Sequence, residues 1–469
     1  MLARSTARMQ TDIRLKKADL YFLPVRLRVP LKFGNQVLTQ VTCARVRVEV
    51  TGRDGQCAQG WGETPLSVGW VWPSTVDFHA REHELLEFCR KIARDITEMD
   101  QAGHPMEIGS AYMKEGLSTL LKAHNEGVAD EMHVPHLASL VCYSPFDIAI
   151  HDAYGNLHDV PVYETYTSDY MNHDLSAYLE PAMEGLSFEG KYPGEFLAPV
   201  QQRIPVWHLV GGLDPIAQSE LTGNEPDDGY PVLLEDWIDR DGLKCLKVKL
   251  RGNDSSWDYD RLVRIGDISV SNNVEHLTVD FNCTVTDPEY VNTILDNLKE
   301  AMPDVYKRIL YVEQPFPYDL EANQIDVHST SSRKLLFMDE SAHDWRLIQL
   351  GYSLGWTGVA LKTCKTQTGA LLSLCWAKAH DMAIMVQDLT NPMLAQIPHV
   401  LLAAYSGTIM GVESNGMQFY PEASLAELEV HPGVYRRREG LLDLSTIQGP
   451  GFGYRLNEIE RVLPDREQL

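Results

Sequence analysis

Long apolar runs are missing from this chain. No stretch of its 469 residues approaches the roughly 18 consecutive apolar residues of a membrane-spanning helix. Positive charge is also scarce: 41 Lys and Arg stand against 66 Asp and Glu, a net charge of −25. Binding a phosphate backbone or an anionic membrane surface requires Lys and Arg to replace the counterions, and no basic cluster stands out locally. Neither nucleic acid nor a membrane is expected as a partner. Cysteines number 8, with no CxxC pair, which argues against a disulfide framework or a zinc site. Reduced thiols and a cytoplasmic location are the expectation. The segment Met1 to Arg14 carries Arg4, Arg8 and Arg14 and has no apolar signal-peptide core.

What remains is an ordinary globular composition, 44% hydrophobic and 23% charged. The length suggests two or three domains, or a barrel of roughly 200–250 residues plus a second domain. Residues 20–63 read as antiparallel strands, with β-branched content from Thr42 to Val50 and a turn at Gly52-Arg53-Asp54-Gly55. From about 76 to 157 the pattern is helical. Ser144 is expected to cap a helix whose first residue is Pro145. Strands followed by helices predict a compact α+β domain over 1–164. Residues 165–203 show little periodicity and read as an insertion or linker.

From 204 to 420, short apolar strands alternate with helical patterns. The candidates are Ile204–Leu209, Cys245–Leu250, Leu277–Asp280, Ile309–Glu313, Leu335–Asp339, Val359–Lys362, Ala383–Gln387 and Ile409–Glu413. Repeated βα units imply parallel strands, and eight of them predict a (β/α)8 barrel. An open doubly wound sheet is the alternative, weakened because no GxGxxG or phosphate-loop sequence follows an early strand.

Ionisable residues sit at the ends of these strands. Lys247 and Lys249 end the second, Asp280 the third, Glu313 the fourth, Asp339 the fifth and Lys362 the sixth. Each step is about one βα unit, so these residues recur at one level, the C-terminal mouth where barrel enzymes place their chemistry. Three carboxylates meeting there would repel one another unless a cation lay between them. An all-oxygen Asp/Glu/Asp set suits Mg²⁺ first and Mn²⁺ second. In Lys247-Val248-Lys249 the two ammonium groups share one strand face, and each is expected to lower the pKa of the other, poising a lysine as a base. Lys362 lies four strands around the ring and approaches from the opposite side.

These residues resemble the enolase superfamily, in its muconate-lactonizing-enzyme-like branch (the mandelate racemase/muconate lactonizing enzyme family). The resemblance rests on Lys247-Val248-Lys249, Val279-Asp280-Phe281-Asn282, Val312-Glu313-Gln314-Pro315, Met338-Asp339-Glu340-Ser341 and Leu361-Lys362. Gly60-Trp61-Gly62-Glu63 looks like the capping-domain signature, and the segment from Ser144 to Asp152 like its long helix. The resemblance implies an α/β protein with a modified (β/α)8 TIM barrel under an α+β capping domain, and 421–469 folded back onto the cap. It implies one Mg²⁺ held by Asp280, Glu313 and Asp339, with Asn282 and Glu340 supporting those ligands. A substrate carboxylate would bind there, and the proton alpha to it would be removed to give a metal-stabilised enolate. Lys249 would be the base on one face and Lys362 the acid or base on the other, with Lys247 tuning Lys249.

The implied activity is that of a racemase, epimerase or cycloisomerase acting on a small carboxylate. An acid-sugar dehydratase and a catalytically idle binding relative are the alternatives. A barrel hydrolase would be expected to use HxH ligands, which are absent. A homo-oligomer is expected, as is common in the family. Substrate contacts are expected from cap segments carrying Lys32, Phe33, Trp70 and Trp72, and from Asp388 and Glu413 on the late strands. His380-Asp381 precedes the seventh strand and reads as a helix end, and Arg436-Arg437-Arg438 reads as a solvated run.

Overall fold

The structure, a computed structural model, describes residues 9–33 and 36–469, and the side chain of Phe33 lies outside the described residues. Near the N-terminus, β1 (Ile13–Phe33), β2 (Gln36–Gly52), β3 (Cys57–Pro65) and β4 (Ala102–Gly103) form an antiparallel sheet in the order β3-β2-β1-β4. The predicted turn is there: Gly55 has φ +83° between β2 and β3. The β1–β2 ladder jumps from Arg26↔Gln40 to Leu31↔Leu38, so Leu27 to Pro30 bulge out of it. Pro30 has no N–H to lose there.

The helix His136–His158 lies across this sheet and is buried from Leu137 to Gly155. Its apolar residues wrap all round because the sheet covers one side and the barrel the other. Glycines in β3 permit the close approach. A Cβ on Gly60 would stand 2.1 Å from Ala153 N, and one on Gly62 2.1 Å from Pro145 O. The expected helix start is corrected: the helix begins at His136 and runs through Pro145. Ser144 does not cap it. The Ser144 hydroxyl donates to Thr363 O (2.7 Å) and lies 2.9 Å from Thr64 Oγ1, tying the cap to the barrel.

The barrel strands are β5 (Arg203–Val210), β6 (Cys245–Lys249), β7 (His276–Asp280), β8 (Ile309–Glu313), β9 (Leu335–Met338), β10 (Gly358–Leu361), β11 (Ala383–Val386) and β12 (Val412–Glu413). Each pairs in parallel with the next, and β12 closes on β5 through Val412↔Val206. The closed eight-stranded barrel read from the sequence is the fold present. The eighth strand is shorter than expected because Gly411 turns at φ +56°, with Pro205 O where a Cβ would be. A short strand β13 (Leu441–Asp443) adds antiparallel to the outside of β5. Trp207, Cys245, Tyr311, Phe337 and Met385 fill the barrel interior below the mouth.

Residues 165–203 hold short 3₁₀ turns and bury Tyr166, Leu175 and Phe188. They are strapped to the barrel's outer helices. Trp376 Nε1 donates to Glu180 O (2.9 Å), and Lys378 Nζ to Phe196 O (2.7 Å). The C-terminal segment touches cap and barrel alike: Phe452 N donates to Asp152, Glu467 N to Leu20 O, and β13 lies on β5. The reading of Arg436–Arg438 as solvated is corrected at its centre. Arg437 is 1% exposed and donates to Asp241 Oδ2 (2.8 Å), an ion pair closed by packing distant segments together.

Candidate active site

Parallel pairing aligns Lys249↔Asp280 and Asp280↔Glu313 at the ends of β6, β7 and β8. Asp339 follows β9 and Lys362 follows β10. All five are buried at the mouth. Lys247 Nζ donates to Glu313 Oε1 (2.7 Å) and Glu413 Oε2 (3.1 Å) and lies 3.2 Å from Asp280 Oδ2. Lys249 Nζ donates to Asp280 Oδ2 (2.5 Å). Across the ring, Lys362 Nζ donates to Asp388 O (2.7 Å) and sits 3.1 Å from Asp339 Oδ2.

Electrostatics here corrects one expectation. Burial alone would depress the pKa of Lys247, but Glu313, Glu413 and Asp280 outweigh it and drive it well up. Lys362 is likewise raised, burial being overcome chiefly by Asp339. Lys247 lies 2.7 Å from Glu313 Oε1 and Lys362 3.1 Å from Asp339 Oδ2, so both are held charged. Glu313 is raised by burial and by the charge of Asp280, whereas Asp280 and Asp339 are lowered, their lysines overcoming burial.

Asn282 and Glu340 lie beside Asp280 at the rim. Asn282 N donates to Asp280 Oδ1 (2.8 Å), and Asn282 Nδ2 to Glu340 Oε1 (3.3 Å). Glu340 Oε1 also accepts from Trp70 Nε1 (3.0 Å), reaching down from the cap. The Trp70 ring faces Lys362 Nζ, 5.1 Å from its centroid. Asp388 lines the cavity, but its oxygens accept from the backbone N–H groups of Asn391 and Asn415. Leu31, rather than Lys32, lines the central cavity from the cap hairpin, and Trp72 is buried in the cap core. His380 ends its helix, as expected, with Nδ1 bonded to Trp376 O.

Sequence reasoning missed three groups. Lys365 Nζ donates to the Asp339 carbonyl and to Ala342 O (3.3 Å) and lies 3.3 Å from Asp339 Oδ1. Its only signal was a second lysine three residues after Lys362. Gln314 Oε1 accepts from Asp339 N and from the Ser341 hydroxyl, fixing the turn that carries Asp339. Gln387 Nε2 donates to Glu313 Oε2 (2.5 Å), and the Gln387 amide oxygen lies 3.4 Å from Lys247 Nζ.

Among the described residues, no three His, Cys, Asp or Glu side chains stand placed to share one cation. The carboxylates are turned to the lysines instead. The donor set still fits a hard divalent ion. Asp280, Glu313, Asp339, Glu340, Asp388 and Glu413 are six buried carboxyl groups against the four ammonium groups of Lys247, Lys249, Lys362 and Lys365. Formally, the balance is two negative charges. Glu340 Oε2 and Asn282 Oδ1 are buried without a hydrogen-bond partner beside Asp280.

No model of a known protein family matches this chain, and neither does any curated protein. Solved structures do. The N-succinyl Arg/Lys racemase of Bacillus cereus superposes with a TM-score of 0.61 at 16% identity, covering 97% of this chain and 99% of that one. A dipeptide epimerase of Enterococcus faecalis, solved with Mg and a dipeptide, gives 0.60 at 16%, covering 94% and 99%. A muconate lactonizing enzyme of Pseudomonas fluorescens, bound to muconolactone, gives 0.59 at 15%, covering 94% and 95%. The capped barrel is therefore a fold that this chain shares with these solved structures over nearly its whole length.

Proposed function

We propose that this chain is an enzyme of the muconate-lactonizing-enzyme-like branch of the enolase superfamily, which removes the proton alpha to a substrate carboxylate in a Mg²⁺-dependent racemisation, epimerisation or cycloisomerisation. The observation that carries this reading is the single buried rim that holds Lys249–Asp280 at the ends of the second and third of eight strands and Lys362–Asp339 just after the sixth and fifth. Asp280, Glu313 and Asp339 would hold the ion. When bound, Mg²⁺ supplies positive charge to the substrate carboxylate as negative charge grows on it.

The chain's own residues do the rest. Lys249 Nζ gives up a proton to solvent on entering the working state and then takes the alpha proton on one face. Lys362, held charged by Asp339, delivers a proton to the opposite face. Lys247 stays protonated among three carboxylates and offers a fixed positive charge beside the base. Trp70 and Leu31 close the cavity from the cap and exclude water. The opposed lysines support two-base exchange, which inverts a stereocentre.

The test is deuterium exchange in D₂O with Mg²⁺ over acid sugars, dipeptides, N-acyl amino acids and muconates. At least one class should exchange its alpha proton, and Lys249→Ala should abolish that exchange. Exchange that survives complete removal of divalent metal would overturn the reading.

A further inference from the structure

A second cavity, of about 760 Å³, opens behind the barrel wall, whereas the central one measures about 40 Å³. Register fixes which side of the wall it occupies. Leu209 pairs with Lys247 and lines the central cavity with it. Strand side chains alternate, so His208 and Val210 point outward, and His208 packs its ring on Trp237 at 5.4 Å. The cavity is bounded by this outer face, by the helices Leu234–Asp241 and Ser255–Ser271, and by the stretch 211–233 that follows β5. Its roof is the β1 bulge. Arg28 grips Asp228 through Nε (2.6 Å) and Nη2 (2.8 Å), which holds Val29 and Pro30 over the opening.

The chemistry of the walls is specific. Trp237 and Trp257 line the cavity, Trp237 buried with Arg437 and Arg240 at 5.2 and 5.6 Å from its ring and Trp257 more open. Arg251 stacks on Trp257 at 3.8 Å, and the Arg261 guanidinium stands 5.7 Å from the same ring. Among the described residues Arg261 is in no ion pair, and Arg251 is in a loose one. Arg261 spends Nη2 on the carbonyls of Gly211 and Asp214, and its Nε is buried without a partner. Arg251 reaches its nearest carboxylate, Asp254, only at 4.0 Å. Burial depresses the pKa of Arg261 and outweighs the charges of Asp214 and Glu220, which raise it, while Arg264 and Arg251 lower it further. Four acids also line the cavity: Glu220 pairs with Arg264, Asp214 accepts from Gly211 N, Glu225 accepts from the N–H groups of Thr222 and Gly223, and Asp260 is exposed at the margin. His208 and Gln418, both buried, also line the cavity, and each has a polar atom without a partner.

We infer that this cavity is a second small-molecule site, separate from the proposed catalytic rim, for a small organic anion. Its carboxylate or phosphate would lie between Arg251 and Arg261, with a flat apolar body against Trp237 and Trp257. The volume is in the range that encloses most of such a ligand, and guanidinium pairs suit planar oxyanions.

The two tryptophans make the test optical. Phenylacetate and phenyl phosphate should each quench tryptophan fluorescence saturably, and the tighter of the two identifies the headgroup. The neutral phenylacetamide should bind at least about tenfold more weakly, the usual scale for losing a charge-assisted pair. Arg251→Glu should abolish the quench and Arg251→Gln weaken it, with circular dichroism confirming the fold of each. Lys249→Met should leave it intact, which separates this site from the central cavity. No substrate or metal enters the assay, so its outcome is independent of the proposed reaction. Equal binding of the neutral analogue, indifference to Arg251→Glu, or loss of the quench in Lys249→Met would overturn the assignment.

Discussion

Two buried polar clusters in this molecule are built on opposite plans. The seam between cap and barrel ends on a single carboxyl group, Asp147, and its hydrogen bonds run in one direction. Tyr166 OH donates to His151 Nδ1 (3.0 Å), His151 Nε2 to Thr368 Oγ1 (3.0 Å), and the Thr368 hydroxyl to Asp147 Oδ1 (2.8 Å). Thr368 N adds a bond to Asp147 Oδ2 (2.8 Å). The rim of the barrel is charged and carries orphaned oxygens on Glu340 and Asn282. A satisfied chain of hydrogen bonds stabilises one arrangement, whereas a crowd of buried charges costs folding energy and survives where it serves chemistry. Damage to the seam should cost stability, and damage to the rim should cost activity.

The largest effect expected is at the rim. Lys249→Ala should reduce alpha-proton exchange by about 10³-fold or more, the scale of a lost general base, while thermal melting moves little. Asp339→Asn leaves Lys362 and Lys365 without their shared anion. We expect it to lower exchange by about 10²-fold and to remove the rise in melting temperature that Mg²⁺ gives the parent enzyme. At the seam, one methyl group is enough. A Cβ on Gly109 would stand 2.3 Å from Asp147 Oδ1 and 2.4 Å from Thr368 Oγ1. Gly109→Ala should therefore cost about 2–3 kcal/mol in denaturant titrations, with exchange per folded molecule nearly unchanged.

The seam also predicts a pH dependence. Burial lowers His151 from its ordinary 6.5 to about 3. Its contribution is complete above pH 6.5 and is lost as pH falls toward 3, because the unfolded chain takes up the proton first. Asp147, raised by burial to about 6, acts in the opposite sense, so a difference between variants is the clean readout. His151→Phe should be less stable than the parent at pH 7.5, and the gap should narrow steadily down to pH 4. A gap independent of pH would break the comparison. The smallest effect is expected where the two plans meet. Trp70→Phe keeps a ring over Lys362 but loses the bond to Glu340, and kcat/KM should fall by about fivefold, roughly 1 kcal/mol.

The barrel was legible because the second to sixth strands each carry, at or just beyond their ends, a charged residue that a buried strand would otherwise avoid. Asp280, Glu313 and Asp339 at one-unit spacing mark both the strand ends and the rim. The helix His136–His158 hid its start because apolar residues on every side leave no stripe to read, and Pro145 imitated a beginning. Lys365 and Gln314 act from turns after the strands, where no periodicity points to them. The burial of Arg437 depends on Asp241, which only the folded chain brings near. The outer cavity had no signal in the sequence, since Arg28, His208 and Arg261 are joined by topology alone.

Diffraction from crystals grown with Mn²⁺, recorded for anomalous scattering, tests the central claim most directly. One peak should appear at the rim, ligated by Asp280, Glu313 and Asp339, with the Lys249 ammonium moved off Asp280. A rim without a peak at saturating Mn²⁺, with those carboxylates still paired to Lys247, Lys249 and Lys362, would contradict the account.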